Sequence, residues 1–492
     1  MTRVLRRLTT LVVPLLFATA CSGGHGGSVP AGPSSVIPDA GHTRAVRDVT
    51  PADLHAGGTS ALGLGLSGGV QPVGLASNIQ QPLPSTTSIL GNYGGSANVY
   101  YCQTQDVFAK QSFIGANTAA ATGACAPLGS PSTGLGGRVD PVDFVGTVQA
   151  LTIADYTAYK ANREPTTGTN FGEPFEAPMS GSAIAFAYKP TDFPGLAGNR
   201  LKLSKWSYCA IANGTVTDWN DAAITADNGG TSVTGGTSLP ITFLYRSDAD
   251  GINVALQRHL GKNCNGFGAV APYNAAPYED RHVEREAKWT GAAASPTWTG
   301  PVTGGFTGVA TNALLQQTIQ QGHGAVGYVE AQGIPLSGKP HLSAATLQND
   351  ADYTSATPGT TFADPLVQTS VQDAFANVNK GAITKGGGDD TDGDNDTHIG
   401  TSRPECVLFV RPGRYTKPEA ADAYPIVEVE YLAFVGANNA HLANDQTLLS
   451  YITSGNADST LVSDGYATLP ADVKAEIATA VAGTKHKAPC IQ

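Results

Sequence analysis

The chain has 492 residues, of which 41% are hydrophobic and 14% are charged, and its formal net charge is −11. This composition is too apolar for a disordered protein, and the length is enough for two or three ordinary domains. The acidic balance makes nucleic acid a poor candidate partner. We therefore expect a globular protein, whose 59 glycines and 31 prolines indicate many loops.

Residues 1–20 are predicted to form an export signal. A basic segment with three arginines precedes the apolar run LTTLVVPLLFATA, which is too short to span a bilayer. The run ends at Cys21, a pattern similar to the bacterial lipobox, in which this cysteine is acylated and anchors the protein to the membrane. Residues 21–48 are typical of a flexible tether. Ordinary secretion is the alternative, because Ala18 stands where a lipobox usually has leucine.

Six further cysteines remain, and an even number in an exported chain favours disulfides. Pairing neighbours along the chain predicts the bridges Cys102–Cys125, Cys209–Cys264 and Cys406–Cys490, although six cysteines allow other arrangements. Because the sequence has no Cys-x-x-Cys motif and no Cys/His cluster, neither a structural zinc site nor a metal cofactor is expected.

Strand-like and helix-like segments alternate along the rest of the chain. In chain order, the predicted strands are VDFVGTVQALT, GSAIAFAYKP, LPITFLYRS, GAVGYVE and YPIVEVEYLAFV, and the predicted helices are INVALQRHL, ATNALLQQTIQQ, NDQTLLSYITS and PADVKAEIATAVAG. Short strands interleaved with amphipathic helices predict an α/β fold.

Two further motifs were weighed as sites of chemistry. The segment GLSGG (65–69) fits the hydrolase pattern around Ser67, but a nucleophile elbow needs a strand before it and a helix after it. The surrounding glycines and Pro72 predict a loop, so catalysis is not expected, and a secreted serine hydrolase is only an alternative.

The second motif alternates aspartates with small residues at Asp390, Asp392, Asp394 and Asp396. This spacing suits calcium, but it lacks the glycine and glutamate of an EF-hand, so a solvated acidic loop is favoured and a calcium site is the alternative.

The segment YRSDADGINVALQRHL (245–260) is the most informative one. Ile252, Leu256 and Leu260 recur at helical spacing, so a helix is expected directly after a strand, capped by Asp248 or Asp250. A helix N-terminus with Arg246 beside it is a suitable arrangement for an oxyanion. The same residues are also typical of a capped helix whose arginine forms a structural ion pair with Asp248.

Several blocks resemble, in the same order, the phosphate-binding proteins of ATP-binding-cassette importers. They are HAGGTSA (55–61), PSTGLGG (131–137), DFVGTVQAL (143–151), PMSGSAIAFAY (178–188), YCAIANGTVTDWND (208–221), YRSDADGINVALQRHL (245–260), GAVGYVE (324–330) and DGYATLPADV (464–473). The tryptophan–asparagine block and the C-terminal block are the most specific.

The resemblance implies a two-lobed α/β fold of the type II periplasmic binding proteins, with a ligand cleft between the lobes and two hinge crossings. Lobe 1 would comprise 49–172 and 400–490, lobe 2 would comprise 173–345, and 346–399 would be a variable connection. The implied function is capture of phosphate or a related oxyanion for an ABC permease, with neither catalysis nor a cofactor. The alternative is a divergent surface protein with a different ligand or no transport role.

The resemblance also implies which residues bind the ligand. Carried over position by position, they are Thr59, Ser60, Thr133, Gly134, Arg246, Asp248, Asp250 and Gly251. Within this set, Asp248 is placed to hold Arg246.

Three positions depart from the family pattern. Val148 replaces the aspartate that accepts a proton from bound phosphate and so separates phosphate from sulfate, and Ile252 replaces a threonine. Asp250 replaces a serine and brings a carboxylate close to the anion, which is repulsive unless a proton is shared. Either Asp250 takes over the acceptor role from another direction, or the ligand is not phosphate, or Asp250 turns away as a helix cap and the site is degenerate.

Overall fold

The computed structural model shows how these segments pack. It describes residues 46–48, 53–70, 72, 80–115, 142–164, 170–264, 289, 291, 295–336, 341–353, 361–389, 397–436, 441–485 and 487–491. Within these residues, no helix combines the length and the apolar character that crossing a membrane requires.

The strands lie along the whole described chain. They are β1 (Val46–Asp48), β2 (Leu54–Gly58), β3 (Gln80–Pro82), β4 (Val99–Gln103), β5 (Phe144–Thr147), β6 (Phe175–Tyr188), β7 (Lys202–Leu203), β8 (Thr242–Arg246), β9 (Phe306–Val309), β10 (Ala325–Glu330), β11 (Ser343–Ala344), β12 (Thr346–Leu347), β13 (Ile383–Lys385), β14 (Gly387–Gly388), β15 (Thr397–His398), β16 (Leu408–Val410), β17 (Val427–Phe434) and β18 (Ala467–Thr468).

The helices alternate with them. They are α1 (Gly63–Ser67), α2 (Ile89–Asn92), α3 (Asp106–Phe113), α4 (Ile153–Arg163), α5 (Lys205–Ala212), α6 (Ala222–Asp227), α7 (Gly251–Asn263), α8 (Asn312–Gln321), α9 (Asp350–Tyr353), α10 (Gln368–Asp373), α11 (Leu442–Thr453), α12 (Asp458–Ser463) and α13 (Ala471–Ala482). Every strand and helix predicted from the alternating segments is present, which confirms the α/β class.

In the described part of the chain, ten strands form one sheet. Eight follow the order β4-β2-β5-β17-β6-β10-β8-β9, and β11 and β18 also pair with β6. β2 runs parallel to β4 and β5, whereas β8 runs parallel to β9 and β10. These two parallel sets form the two ends of the sheet, on either side of β17 and β6, and we call the parts of the molecule around them its two halves.

The long strand β6 connects the two halves. Its first part, to Ala183, pairs with β17, and its second part, from Ile184, pairs with β10. All 14 of its residues are buried, which explains a run of small and apolar residues in place of a strict alternation. At Gly181, an added Cβ would lie 2.2 Å from the ring of Phe375, so this position needs a glycine for close packing.

Polar caps decide where the helices start. Thr152 and Asp155 form a capping box at α4, Ser204 caps α5, and Thr311 caps α8. Each cap satisfies a backbone N–H that has no partner within its helix. Several of these caps lie beyond the carboxyl ends of parallel strands, where ligands bind in open α/β sheets.

The structure contains two of the three predicted disulfides. Cys209 in α5 is joined to Cys264 directly after α7, and Cys406 is joined to Cys490 near the C-terminus. Cys102 is disulfide-bonded too, but its predicted partner Cys125 lies outside the described residues.

Candidate functional site

The loop between β8 and α7 is held by Asn253, the third residue of the helix. Its Nδ2 donates to the carbonyl oxygens of Arg246 at 3.2 Å and Asp248 at 2.9 Å, and the hydroxyl of Tyr328 donates to its Oδ1. The backbone N–H of Arg246 donates to the same hydroxyl at 2.9 Å. Since Asn253 and Tyr328 are completely buried, the core fixes the loop that carries the arginine.

Arg246 is buried between two carboxylates. Its Nε and Nη2 donate to the two oxygens of Asp248 at 2.7 and 2.5 Å, and Nη2 also donates to Asp250 at 3.0 Å. Burial lowers the pKa of Arg246, but the two carboxylates more than offset this and hold that pKa above its usual value. Its Nη1 has no hydrogen-bond partner among the described residues. Asp248 therefore holds Arg246 through two hydrogen bonds, and one guanidinium donor group is left for an acceptor.

The first predicted loop follows β2. Thr59 is completely buried, and its Oγ1 accepts from the N–H of Ala61 at 3.2 Å, which caps the 3-10 helix Ser60–Leu62. The hydroxyl of Ser60 donates to Oε1 of Glu330 at 3.4 Å. Ser60 therefore faces the end of β10 in the other half of the molecule, whereas the Thr59 hydroxyl has a structural role.

Asp106 is a site residue that sequence reasoning missed. It is the first residue of α3, beyond the carboxyl end of β4, and it is 3% exposed. Its Oδ2 accepts from the backbone N–H of Val148 at 3.0 Å and of Gln149 at 3.4 Å, while Oδ1 has no partner among the described residues. Burial and then the charge of Asp250 raise the pKa of Asp106 to about 7. The signal in the sequence was the polar segment Gln103 to Asp106, directly after the apolar run VYYC (99–102).

Two contacts bring the carboxyl ends of the two parallel sets together. The Nε2 of Gln105 donates to the carbonyl oxygen of Ala310 at 3.4 Å, and the Nε2 of Gln332 donates to that of Ala61 at 2.9 Å. Each pair joins a loop after β2 or β4 to a loop after β9 or β10. These contacts bring loops that follow the two parallel sets close together in the described part of the chain.

A family profile described as "PBP superfamily domain" matches residues 116–374, more than half of the chain. The chain belongs to the PBP superfamily. Among the curated proteins compared, none matches it. The resemblance stated from sequence blocks is thereby confirmed at the level of the family.

Solved structures show the same fold. The high affinity periplasmic phosphate-binding protein PfluDING is 16% identical, with a TM-score of 0.57 over 89% of this chain and 96% of that one. A phosphate binding protein from Stenotrophomonas maltophilia is 17% identical, with a TM-score of 0.55 over 87% and 94%. A human phosphate binding apolipoprotein is 15% identical, with a TM-score of 0.56 over 89% and 96%. This PBP-superfamily chain therefore has the predicted two-lobed α/β fold.

In this PBP-superfamily chain, the three departures from the family pattern have structural explanations. Val148 is buried, and its backbone N–H binds Asp106. Ile252 is completely buried in the core. Asp250 is the N-cap of α7, because its Oδ1 accepts from the N–H of Ile252 at 3.2 Å while Oδ2 binds Arg246. Of the options for Asp250, the structure shows the helix cap, with an added ion pair.

A group of buried glutamates beside the site was also missed. Glu330 ends β10, and Glu428 and Glu430 face β6, where Ser182 donates to Glu428 at 3.0 Å and Ser180 to Glu430 at 2.6 Å. One carboxyl oxygen of each glutamate has no partner among the described residues. Burial raises the pKa of Glu330 and Glu430 to about 7, and burial with Glu430 raises the pKa of Glu428 well above its usual value. The alternation EVE in β17 was the available signal.

Some predictions fall outside the described residues and stay predictions. They concern Cys21, Cys125, Thr133, Gly134, Asp390, Asp392, Asp394 and Asp396. Among the described residues, no group of three or more His, Cys, Asp or Glu is arranged to hold a metal ion.

The predicted loop around Ser67 is wrong, because residues Gly63–Ser67 form the short helix α1. Gly68 then ends the helix in the left-handed conformation, with φ of 66°, which favours glycine. The Ser67 hydroxyl is buried and lies 2.9 Å from the carbonyl oxygens of Gly63 and Val70. These contacts do not support the hydrolase hypothesis.

Proposed function

We propose that this chain is an extracytoplasmic solute-binding protein that captures phosphate or a related oxyanion. The observation that carries the proposal is the buried Nη1 of Arg246, which has no acceptor among the described residues. Arg246 ends β8, and the short loop after it leads into the N-terminus of α7 at Gly251. A guanidinium donor removed from water binds an oxyanion strongly, and a helix N-terminus adds partial positive charge.

The charge around Arg246 favours an oxyanion that carries a proton. The charge of Asp250 raises the pKa of both Asp106 and Glu330, whereas Arg246 lowers the pKa of Asp250 and of Glu330, so several carboxyl groups surround this one guanidinium group. A fully deprotonated anion would be repelled by ionised carboxylates in a medium of low dielectric constant. A protonated oxyanion donates a hydrogen bond to a carboxylate, which converts the repulsion into attraction. Phosphate and arsenate fit this description better than sulfate.

The wider biological role is proposed from the same fold. The two lobes, 49–172 with 400–490 and 173–345, would close on the ligand about two hinge crossings, with 346–399 as the variable connection. The ligand would pass to an ABC permease, and acylated Cys21 would keep the receptor at the outer membrane surface. The chain would bind its solute without converting it.

Isothermal titration of the purified protein with phosphate, arsenate and sulfate tests the proposal. We expect heat of binding with phosphate and arsenate, and at least about tenfold weaker binding by the variant Arg246→Lys, because lysine cannot reproduce a planar guanidinium fork. Arg200→Lys, which alters a half-exposed arginine paired with Asp364, is the matched control and should bind like the unaltered protein. Absence of binding to all three anions would overturn the proposal.

A different ligand class has its own support in the unpaired oxygens of Glu330, Glu428 and Glu430. Buried carboxylates attract a ligand with a positively charged or hydrogen-bond-donating group, such as an amine. A thermal-shift series with small diamines distinguishes the two functions. Stabilisation by diamines without stabilisation by phosphate would favour a cationic solute.

A further inference from the structure

The carboxylate of Asp106 occupies a position that the sequence alone assigns to another residue. The family pattern places an aspartate where this chain has Val148. In the structure, Oδ2 of Asp106 lies 3.0 Å from the backbone nitrogen of that valine and 3.4 Å from that of Gln149. A carboxylate is therefore present beside position 148, although it arrives from the start of α3 after β4.

The same carboxylate also meets the second half of the site. A Cβ added to Gly251, the first residue of α7, would lie 2.2 Å from Oδ2 of Asp106 and 2.5 Å from Cβ of Val148. The absence of a side chain at Gly251 thus lets the N-terminus of α7 approach Asp106 directly. Two buried polar atoms without partners among the described residues, Oδ1 of Asp106 and Nη1 of Arg246, belong to this region.

Asp250 is not available for the role of proton acceptor. One of its oxygens accepts from the N–H of Ile252, and the other binds Nη2 of Arg246. Asp248 is likewise engaged, since both of its oxygens bind Arg246. Asp106 differs from both, because only its Oδ2 is engaged.

We propose that Asp106 is the specificity-determining residue of the site and that its Oδ1 accepts the proton of the bound oxyanion. This inference rests on the proposed function. Phosphate keeps at least one proton at neutral pH and can donate it to an ionised carboxylate. Sulfate has no proton to donate, so the same carboxylate repels it. Asp106 would thereby restore, from a different element, the discrimination that Val148 cannot provide.

The charge state of Asp106 makes the discrimination dependent on pH. The groups that face it are Asp250 at the start of α7, Lys110 one turn along α3, and Tyr101 in β4. Burial and the charge of Asp250 raise its pKa to about 7, against the lowering effects of the Val148 N–H and Lys110. Above this pH the carboxylate only accepts a hydrogen bond, whereas below it the protonated group can donate one to sulfate. Selectivity for phosphate over sulfate should therefore be high in alkaline buffer and decline in acid.

Titrations of phosphate and sulfate into the unaltered protein and the variant Asp106→Asn test this, at about pH 8.5 and about pH 5.5, on either side of the pKa. In the unaltered protein, the ratio of phosphate affinity to sulfate affinity should be at least about tenfold lower in the acid buffer than in the alkaline one. A tenfold change in affinity corresponds to the free energy of about one charged hydrogen bond. Asp106→Asn should show a low ratio at both values, because its amide group donates to sulfate irrespective of pH.

Glu176→Gln is the matched control, because Glu176 is another buried carboxyl group that accepts a backbone N–H nearby, from Leu151 at 2.9 Å. It should keep the ratio and the pH dependence of the unaltered protein. If phosphate binds but Asp106→Asn keeps the high ratio, the role of Asp106 is overturned while the proposed function stands. If the unaltered protein binds none of phosphate, arsenate and sulfate, the proposed function itself fails. If Asp106→Asn does not fold, Asp106→Ser serves in its place, because Glu330 and Glu430 titrate in the same pH range as Asp106. A high phosphate-to-sulfate ratio in that variant overturns the role of Asp106.

Discussion

Nη2 of Arg246 donates to Oδ2 of Asp250 at 3.0 Å, while the other oxygen of the same carboxylate accepts the N–H of Ile252 at 3.2 Å. One side chain thus neutralises the arginine and caps the helix that follows it. The sequence suggested that Asp250 would repel a bound anion. In the structure, Asp250 instead binds Arg246 and caps α7, and so helps to hold the candidate site in place. Burial raises the pKa of Asp250, while the charge of Arg246 and the hydrogen bond from the Ile252 N–H oppose this shift.

Removing this carboxylate should cost stability as well as site geometry. Asp250→Ala is expected to lower the free energy of unfolding by about 2 kcal/mol or more, because a lost N-cap costs about 1 kcal/mol and a lost charged hydrogen bond about 1.5–3 kcal/mol. Asp250→Asn keeps a capping oxygen and should lose less. Urea unfolding followed by circular dichroism measures both variants. Equal losses in the two would show that the cap contributes nothing.

The substitution Gly251→Ala should destabilise the protein, although helix propensity alone predicts a stabilisation. Alanine in place of glycine usually stabilises a helix by about 1 kcal/mol, but here the new Cβ would lie 2.2 Å from the Asp106 carboxylate and 2.5 Å from Cβ of Val148. We therefore expect a lower melting temperature and weaker phosphate binding. Gly333→Ala is the control, since its Cβ would meet only the end of the Gln316 side chain, at 3.1 Å. A stabilised Gly251→Ala variant would contradict the close approach of α7 to α3.

The local architecture around Arg246 was predictable because it is contiguous in sequence. Strand β8, the polar turn and helix α7 follow one another within Thr242–Asn263, and each has its own signal of periodicity or capping. The bidentate contact between Arg246 and Asp248 spans only two residues. Contacts between residues that are close in sequence depend mainly on the local backbone conformation, and the sequence pattern predicts that conformation directly.

The other wall of the site was not predictable in the same way. Asp106 reaches Val148 across 42 positions of the chain, through the parallel pairing of β4, β2 and β5. Glu330 and Glu430 approach each other through β6, which pairs with both of their strands. A burial pattern shows that such carboxyl groups lie on a strand or helix start, but only the strand order shows which ones meet. For Asp250, the sequence position suggested a proton acceptor for the ligand. In the structure both of its oxygens are already engaged, one with Arg246 and the other with the N–H of Ile252.

The Cys209–Cys264 disulfide should contribute strongly to stability. It closes a loop with a sequence separation of 55 and ties α5 to the residue after α7, and both cysteines are buried. Replacing both with alanine is expected to lower the free energy of unfolding by about 2–4 kcal/mol, mainly because the unfolded chain gains conformational freedom. Denaturant titration under non-reducing conditions measures the change. A loss below about 0.5 kcal/mol, the level of an ordinary surface substitution, would contradict a constraining role.

Glu430 should make stability dependent on pH in a defined direction. Burial raises its pKa from 4.5 to about 7 in the folded protein. The folded state therefore keeps a proton that the unfolded chain releases earlier as the pH rises. The stabilisation is fully present below about pH 4.5, the pKa in the unfolded chain, and is lost as the pH rises through about 7.

Glu430→Gln isolates this contribution because glutamine stays neutral throughout. Between about pH 5 and about pH 8, the unaltered protein should lose about 1–3 kcal/mol more unfolding free energy than the variant, at about 1.4 kcal/mol per unit of pKa change. The control is Glu476→Gln, since the hydrogen bond from Lys385 lowers the pKa of Glu476, so that its contribution changes only in more acidic solution. Parallel loss of stability in Glu430→Gln and the unaltered protein would mean that Glu430 is already ionised at neutral pH, in which case it would repel an oxyanion bound near Arg246.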